Sequence, residues 1–381
     1  MVNHAWLSAD STPINNDGGE IAYSLAYRIE GASRYLRLAP TDSAAWRTMR
    51  RDVKAALAAR DSERHLADYR GVSGPVWSGI KNRIPDGTRS SMLVDNGIIA
   101  AALINAARRL ETGDSADRKL ASACLRAATD ALHAFDADLR EDSRLKREYY
   151  IFPLDVPLRA WEHGRVVPMN YLAAAALAWY RLAQASRDSV ARKHARLIGN
   201  SIAAQMWLDH GAVLWKYQTE SVIDDVAHAG IVATYVMQGD AEFDVGGEPV
   251  RNALALTLAR IFRVDGDTVI VADHIDGTKS GELRLRGAFS QWAEVLPVAC
   301  ELYPRVAASI LSFRQRLGAQ AFVGAAALLE AAGSCAGAAA KLTSIVEKSV
   351  SSARPMRRAD AQLVASTKPA PSAEFRHPLI A

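Results

Sequence analysis

One stretch in the middle of the chain brings an imidazole, two carboxylates and a phenol close together. Trp215 and Tyr217 alternate on an extended run, so we expect both side chains on the same side. Asp224, Asp225 and His228 then open a predicted helix. Asp224 and His228 would share one helical face, where a carboxylate fixes the tautomer of an imidazole and raises its basicity. The pattern suits a general base, while helix capping and a buried histidine are the structural alternative.

A long, proline-containing loop, which precedes the helix predicted over 170–185, carries a second set of candidates. Loops of this length inside a compact domain are usually functional. Arg165 can bind a carboxylate through two parallel hydrogen bonds, and the amide of Asn170 can bond to a carboxylate or a sugar hydroxyl. Asn170 could equally be a helix cap, and the tyrosines could pack the loop. The candidates in this segment are Tyr149, Tyr150, Trp161, His163, Arg165 and Asn170.

Two further segments place polar and aromatic residues in predicted loops or at helix starts. Trp77 lies in a Gly/Pro loop and could stack on a sugar ring. Asp95 and Asn96 interrupt an apolar helical stripe, which is costly unless they face a cavity or have partners. Trp292 and Glu294 lie near the end of another predicted hairpin. A surface loop and satisfied helix turns are the ordinary alternatives for all five.

Helical periodicity dominates the elements that must position these residues. No series of strands alternates with the helices, which excludes a doubly wound sheet. No tight repeat of about 33 or 34 residues is present, which argues against ankyrin and TPR arrays. We predict an all-α fold, an (α/α) toroid of helical hairpins, with long loops and short β-hairpins at one end. The predicted helices cover 43–61, 92–110, 115–140, 170–185, 190–208, 225–237, 249–262, 289–302, 306–317, 319–332 and 335–350, with an extended pair at 267–286.

We assign residues 1–350 to a single domain and 351–381 to a C-terminal tail. The cysteines form no metal-binding pair, and Cys124 and Cys335 are predicted to be buried small side chains. With no signal peptide visible, a cytoplasmic protein is the default, and a periplasmic or secreted one is the alternative if the start is truncated.

Composition and missing motifs narrow the function classes. The formal charge is only +4 and the pI about 8.9, which fits an anionic ligand but gives no argument for nucleic acid. The most apolar stretch, 317–340, is interrupted by Gln320, Glu330 and Ser334, so we predict packed helices there and not a membrane span. Walker, GxGxxG and HExxH motifs and a G-x-S-x-G elbow do not occur, so nucleotide hydrolysis and serine-elbow chemistry are disfavoured.

Three of these stretches resemble (α/α) toroid enzymes of polysaccharide metabolism, of the glucuronyl C5-epimerase and polysaccharide-lyase type. The similar stretches are Val-Pro-Met-Asn170-Tyr-Leu, Trp215-x-Tyr217 and Asp224-Asp225-Val-Ala-His228-Ala-Gly. The segments Val-Trp77-Ser and Val-Asp95-Asn-Gly-Ile-Ile are similar to the first hairpin of these enzymes. The resemblance covers about residues 70–300.

The resemblance implies β-elimination on a uronic-acid-containing polysaccharide or oligosaccharide. Asn170 with Arg165 or Lys216 would neutralise the C6 carboxylate, and His228, oriented by Asp224, would remove the C5 proton. Tyr217, or one of Tyr149 and Tyr150, would protonate the departing O4. The residues expected to bind substrate are Trp77, Trp161, Trp215, Trp292, Lys216, Tyr149, His163, Asp95, Asn96 and Glu294. No cofactor is expected, and a divalent metal beside Asp224, Asp225 and His228 stays open.

Three other functions fit the same residues. A C5-epimerase would reprotonate the same carbanion from the opposite face. A glycoside hydrolase would use two carboxylates, such as Asp225 with Asp95 or Glu294. A helical scaffold without chemistry would bind a partner on its concave face. The polymer and the oligomeric state have no sequence signal.

Overall fold

The computed structural model describes residues 15–80, 87–155, 162–218, 222–239, 247–265, 268–278, 288–317 and 319–336. Helices dominate this part of the chain and strands occur only as short antiparallel pairs, which confirms the all-α prediction. Trp161 and the predicted tail at 351–381 lie outside the described residues. No described helix is long and apolar enough to cross a lipid bilayer.

Eleven α-helices are found in the described part of the chain. They are α1 (Ala26–Leu38), α2 (Ser43–Ala58), α3 (Asp61–Arg64), α4 (Leu93–Leu110), α5 (Ser115–His133), α6 (Met169–Ser186), α7 (Ser189–Ala203), α8 (Val226–Gln238), α9 (Gly247–Ile261), α10 (Tyr303–Leu317) and α11 (Ala319–Ser334). A π-helical turn, Ile21–Leu25, precedes α1, and a 3-10 helix, Ala288–Val298, precedes α10.

The strands form four two-stranded antiparallel hairpins. They are β1 (Ser78–Gly79) with β2 (Ser90–Ser91), β3 (Leu139–Asp142) with β4 (Arg147–Tyr150), β5 (Trp207–Asp209) with β6 (Ala212–Leu214), and β7 (Phe262–Asp265) with β8 (Thr268–Val271).

Aspartate caps fix the starts of several helices. Asp42 accepts hydrogen bonds from two backbone amides at the start of α2, and Asp188 does the same for α7. Asp114 caps α5 and Asp225 caps α8. Each cap satisfies amides that have no partner within the helix and contributes about 1 kcal/mol.

The helices pack in two layers. α1 packs on α4, α4 on α6, α6 on α8, α8 on the 3-10 helix, the 3-10 helix on α11, and α11 on α1. α2, α5, α7, α9 and α10 lie against these six. Nearly every residue of α4 and α6 is buried, whereas α2, α5 and α7 bury one face. Small residues allow the close approach, since a Cβ on Gly97 would lie 2.7 Å from the Ala174 carbonyl carbon.

Helix α1 was not predicted, because charged residues interrupt its apolar stripe. Those charges are buried in ion pairs with distant elements. Arg28 binds Asp52 of α2 at 2.9 Å, and Glu30 binds Arg181 of α6 at 2.7 Å. A local hydrophobic pattern cannot reveal partners so far away in the chain.

Several predicted boundaries are wrong. The helix predicted over 190–208 ends at Ala203, because Trp207–Asp209 forms β5. The helix predicted over 115–140 ends at His133, because Leu139 and the next residue pair with β4. The extended pair predicted at 267–286 begins earlier, at Phe262, which pairs with Val271. The helix predicted over 289–302 is largely a 3-10 helix that contains Pro297, which lacks an amide donor.

The cysteines also differ from the prediction. Cys124 is buried and free, as expected. Cys335 is buried as well, but it forms a disulfide with Cys300, which joins the end of α11 to the segment before α10.

Candidate functional site

The start of α8 holds a histidine between a carboxylate and a phenol. Asp225 accepts hydrogen bonds from the amides of Ala227 and His228 at 2.9 and 3.0 Å. Its second oxygen lies 2.5 Å from Nδ1 of His228. The ring of Tyr217 lies 4.9 Å from the imidazole, centroid to centroid. When Nδ1 donates to Asp225, the neutral ring carries its lone pair on Nε2, the nitrogen that a base would use.

Asp225, and not Asp224, orients His228, which corrects the sequence prediction. Because α8 begins at Val226, Asp224 precedes the helix and cannot share its face. Asp224 is fully buried, and one oxygen accepts a hydrogen bond from Nε1 of Trp215 at 2.8 Å. Its other oxygen, Oδ1, has no hydrogen-bond partner among the described residues.

The two neighbouring carboxyl groups differ in protonation. Burial raises the pKa of Asp224 to about 8, and the charge of Asp225 adds to this rise. Burial also acts to raise the pKa of Asp225, but hydrogen bonding and charge attraction from His228 outweigh it, and the net pKa is lowered. At neutral pH Asp225 is therefore charged beside His228, while Asp224 holds its proton.

Asp224, Asp225 and His228 also form a group of metal-ligand type. Each offers one ligand atom, and the three atoms lie within 4.8 Å of one another. Two carboxylate oxygens and one imidazole nitrogen suit borderline divalent cations. The structure is thus compatible with the divalent metal that the sequence left open.

Asn170 lies beside this cluster. The amide of Met169, the first residue of α6, donates to the carbonyl of Tyr217 at 2.9 Å, which ties the start of α6 to the tyrosine. Asn170 follows Met169 inside the first turn, so it is not the helix cap. Its side chain is buried, and Oδ1 has no hydrogen-bond partner within the described part of the chain. Arg165 and Lys216 are exposed.

Asp95 belongs to a second polar group at the start of α4. One oxygen accepts a hydrogen bond from Asn16 at 3.0 Å. Burial raises the pKa of Asp95 to about 6. Tyr23 is 36% exposed, but desolvation around its hydroxyl, followed by the charge of Asp95 and then Tyr171, holds its pKa well above the usual value. Asp95, Tyr23 and Tyr171 therefore lie near one another, and Tyr171 follows Asn170 in the chain.

A cavity lies between the helices that carry Asp95, Asn170 and His228. Its space of about 470 Å³ is partly open to solvent and is lined by residues from α1, α4, α6, α8, the 3-10 helix and α11. Its lining residues include Tyr27, Ile98, Ala174 and Ile231. Tyr27 follows Tyr23 by four residues, and Ala174 follows Asn170 by four. Ile98 follows Asp95 by three residues, and Ile231 follows His228 by three. Each lining residue therefore lies about one helical turn after a polar candidate. Residues at this spacing share a helical face, but none of the four candidates lines the cavity itself.

The predicted tryptophan platforms are buried, which rules out sugar stacking in this structure. Trp77, Trp215 and Trp292 are all fully buried. Nε1 of Trp77 donates to the carbonyl of Ala56 at 2.7 Å. Trp215 stacks on Trp292 at 6.4 Å, and Nε1 of Trp292 donates to the carbonyl of Val226 at 2.9 Å. These last two rings support the start of α8 instead of lining a subsite.

Three other predicted residues have structural partners. The buried hydroxyl of Tyr150 accepts a hydrogen bond from Trp179 at 3.0 Å, so it is poorly placed to act as an acid. Asn96 accepts from the amide of Trp77 at 3.0 Å and fixes the loop before α4. Glu294 lines the cavity but is paired with Arg34, which neutralises its charge.

Tyr149 and His163 are half-buried on the loop side of α6. Tyr149 lies in β4, and Nε2 of His163 has no hydrogen-bond partner among the residues that the structure describes. Within the described part of the chain, no contact joins either of them to the cluster at the start of α8. Their substrate-binding roles stay predictions.

Sequence reasoning missed Tyr23, Asn16 and His274. His274 pairs with Asp225 through an isolated β-bridge, and its Nδ1 lies 2.9 Å from the carbonyl oxygen of Ile223. Asn16 bonds to Asp95, as described above, across a sequence distance of 79 residues. No local pattern marks these residues, because each reaches the site only through the fold.

No protein-family model matches the chain, and no curated protein is similar to it.

Proposed function

We propose that this chain is an (α/α) toroid enzyme that acts on a uronic-acid-containing polysaccharide or oligosaccharide by β-elimination. The toroid is supported by the succession of contacts that runs from α1 through α4, α6, α8 and the 3-10 helix to α11 and returns to α1. The observation that carries the reaction is the Asp225–His228–Tyr217 cluster around the start of α8, one helical turn before Ile231, which lines the cavity.

In the proposed reaction His228 removes the C5 proton. The charged Asp225 holds Nδ1–H, so Nε2 presents its lone pair, and the same carboxylate stabilises the imidazolium that forms. Tyr217, in ring contact with His228, then donates its hydroxyl proton to O4 as the C4–O4 bond breaks. General acid–base catalysis of this kind contributes about 10²- to 10⁴-fold to a rate.

The C5 proton becomes acidic only when the neighbouring carboxylate is neutralised. Asn170 is the best-placed donor, because it lies in the first turn of α6, next to Met169, whose amide bonds to the carbonyl of Tyr217. Backbone amides in the first turn of a helix and the positive end of its dipole also favour an anion there. The role previously shared with Arg165 or Lys216 therefore falls chiefly to Asn170 in this proposal.

A panel of uronic-acid polysaccharides tests the proposal. Elimination leaves an unsaturated uronate that absorbs ultraviolet light, and we expect this absorbance with at least one polymer. The carboxyl-reduced form of the same polymer is the control and should yield none. New reducing ends without absorbance would favour hydrolysis, and deuterium incorporation at C5 without cleavage would favour epimerisation. Either result would refute the elimination.

A further inference from the structure

The strongest unexplained feature is an orphaned oxygen at the start of α8. Oδ1 of Asp224 is fully buried and has no hydrogen-bond partner among the described residues. Buried polar atoms are normally paired, and an unmet one costs about 1–3 kcal/mol. Asp224 also belongs to a group with Asp225 and His228, in which one ligand atom from each residue lies within 4.8 Å of the others. A fully buried carboxyl group with an unpaired oxygen, in a group of three ligand residues, is a donor arrangement that suits a cation.

We infer that Asp224, Asp225 and His228 bind one divalent transition-metal ion, such as Zn²⁺. The imidazole nitrogen favours zinc-like ions over magnesium or calcium, which prefer oxygen ligands alone. Three protein ligands leave an open coordination position, as in zinc sites that exchange water or ligand. The exposed fraction of the His228 side chain, 43%, gives an ion a route of entry from solvent.

The surroundings already orient the ligands. Nε1 of Trp215 holds the second oxygen of Asp224, and two backbone amides hold one oxygen of Asp225. Such outer hydrogen bonds fix ligand orientation in metal sites. Ligand atoms around a tetrahedral zinc ion lie about 3.3 Å apart, given Zn–N and Zn–O distances near 2.1 Å. To bind the ion through Nδ1, the His228 ring must therefore shift away from Asp225 by less than about 1 Å, and otherwise it binds the ion through Nε2.

An ion at this site would compete with catalysis, a consequence that rests on the proposed function. Neutral imidazole has one lone pair, and a bound metal occupies it. If the metal takes Nδ1, the proton moves to Nε2, and if it takes Nε2, the base itself is covered. In both cases His228 cannot accept the C5 proton, so the metal ion inhibits the elimination.

Calorimetric titration of chelator-treated protein with Zn²⁺ tests the site without any substrate. We expect one saturable site in the wild-type protein and at least tenfold weaker binding in Asp224→Asn and in His228→Gln. His210→Gln is the matched control, because His210 lies 3.8 Å from Asp209 and is 91% exposed. It should bind as the wild type does. Equal affinity in Asp224→Asn and the wild type, or no saturable wild-type site, would overturn the proposal.

A second measurement separates the site from its effect on activity. If a polymer yields unsaturated product, Zn²⁺ should inhibit with a midpoint that matches the calorimetric affinity. Binding without inhibition would overturn the regulatory consequence and leave the site standing. If no polymer yields product, the proposed elimination fails, and calorimetry still decides whether the metal site exists.

Discussion

The buried carboxyl group of Asp224 should make the stability of this protein fall as the pH rises. Its pKa is about 8 in the folded chain because of burial and the neighbouring Asp225 charge, compared with 3.8 in an ordinary aspartate. The folded state thus binds this proton more tightly than the unfolded state. The contribution of Asp224 to stability is complete below about pH 4 and is lost progressively as the pH rises towards 8.

The magnitude follows from proton linkage. Between pH 5 and pH 7 the folded state holds about one proton more than the unfolded state at this residue. Each pH unit then removes about 1.4 kcal/mol from the free energy of unfolding, so the two units remove about 2.7 kcal/mol. Asp224→Asn replaces the protonated acid with an amide of the same shape that cannot ionise. The stability advantage of the variant over the wild type should therefore grow by about 2–3 kcal/mol between pH 5 and pH 7.

Urea denaturation at pH 5, 6 and 7 measures this difference, with chelator present so that no divalent ion contributes. The matched control is Asp130→Asn, which removes an exposed carboxyl group of α5. Its stability difference from the wild type should not change by more than about 0.5 kcal/mol across the same range. A difference between Asp224→Asn and the wild type that stays constant with pH would refute the assigned protonation state.

Further predictions concern packing and covalent links. Gly97→Ala should lower the unfolding free energy by about 1–3 kcal/mol because its Cβ would meet the backbone of α6, whereas Gly333→Ala, with nothing within 4 Å, should be neutral or stabilising by urea denaturation. Arg181→Met should cost about 3–5 kcal/mol by leaving the buried charge of Glu30 unpaired, and the double variant with Glu30→Gln should recover much of that loss in the same assay. Reduction of the disulfide should lower the free energy of unfolding by about 3–4 kcal/mol, measured with and without reductant.

The sequence predicted those helices whose buried residues can be recognised from the apolar pattern of the segment itself. Helices α4 and α6 are apolar along nearly their whole length, and both were predicted near their observed bounds. Helix α1 was missed because Arg28 and Glu30 interrupt its apolar pattern, and their partners lie 24 and 151 residues away. A periodicity argument reads only one segment at a time, so it counts such buried charges as exposed.

The candidate site shows the same limit. Asp225, His228 and Tyr217 were predicted because they lie close together in the chain. The assignment of Asp224 as the partner of His228 failed because α8 begins at Val226, two residues after Asp224. Helix boundaries inferred from sequence carry an error of one or two residues. Here that error assigned Asp224 instead of Asp225 as the partner of His228.

The tryptophans were misjudged for a different reason. A position in or near a predicted loop suggests an exposed ring, but the side chains of Trp77 and Trp215 are fully buried. The indole nitrogen of Trp77 bonds to a backbone carbonyl, and that of Trp215 bonds to a buried carboxyl group. A large aromatic side chain with a satisfied polar edge is stable in such a position.

The most direct test of the proposed chemistry compares His228→Gln with the wild type on a uronic-acid polymer. The matched control is His133→Gln, because His133 also lies next to an aspartate three residues away, at 2.8 Å, but at the end of α5. We predict that His228→Gln forms unsaturated product at least 100-fold more slowly, given the usual contribution of a general base, while His133→Gln equals the wild type. A rate for His228→Gln close to that of the wild type would contradict the proposal that this histidine removes the C5 proton.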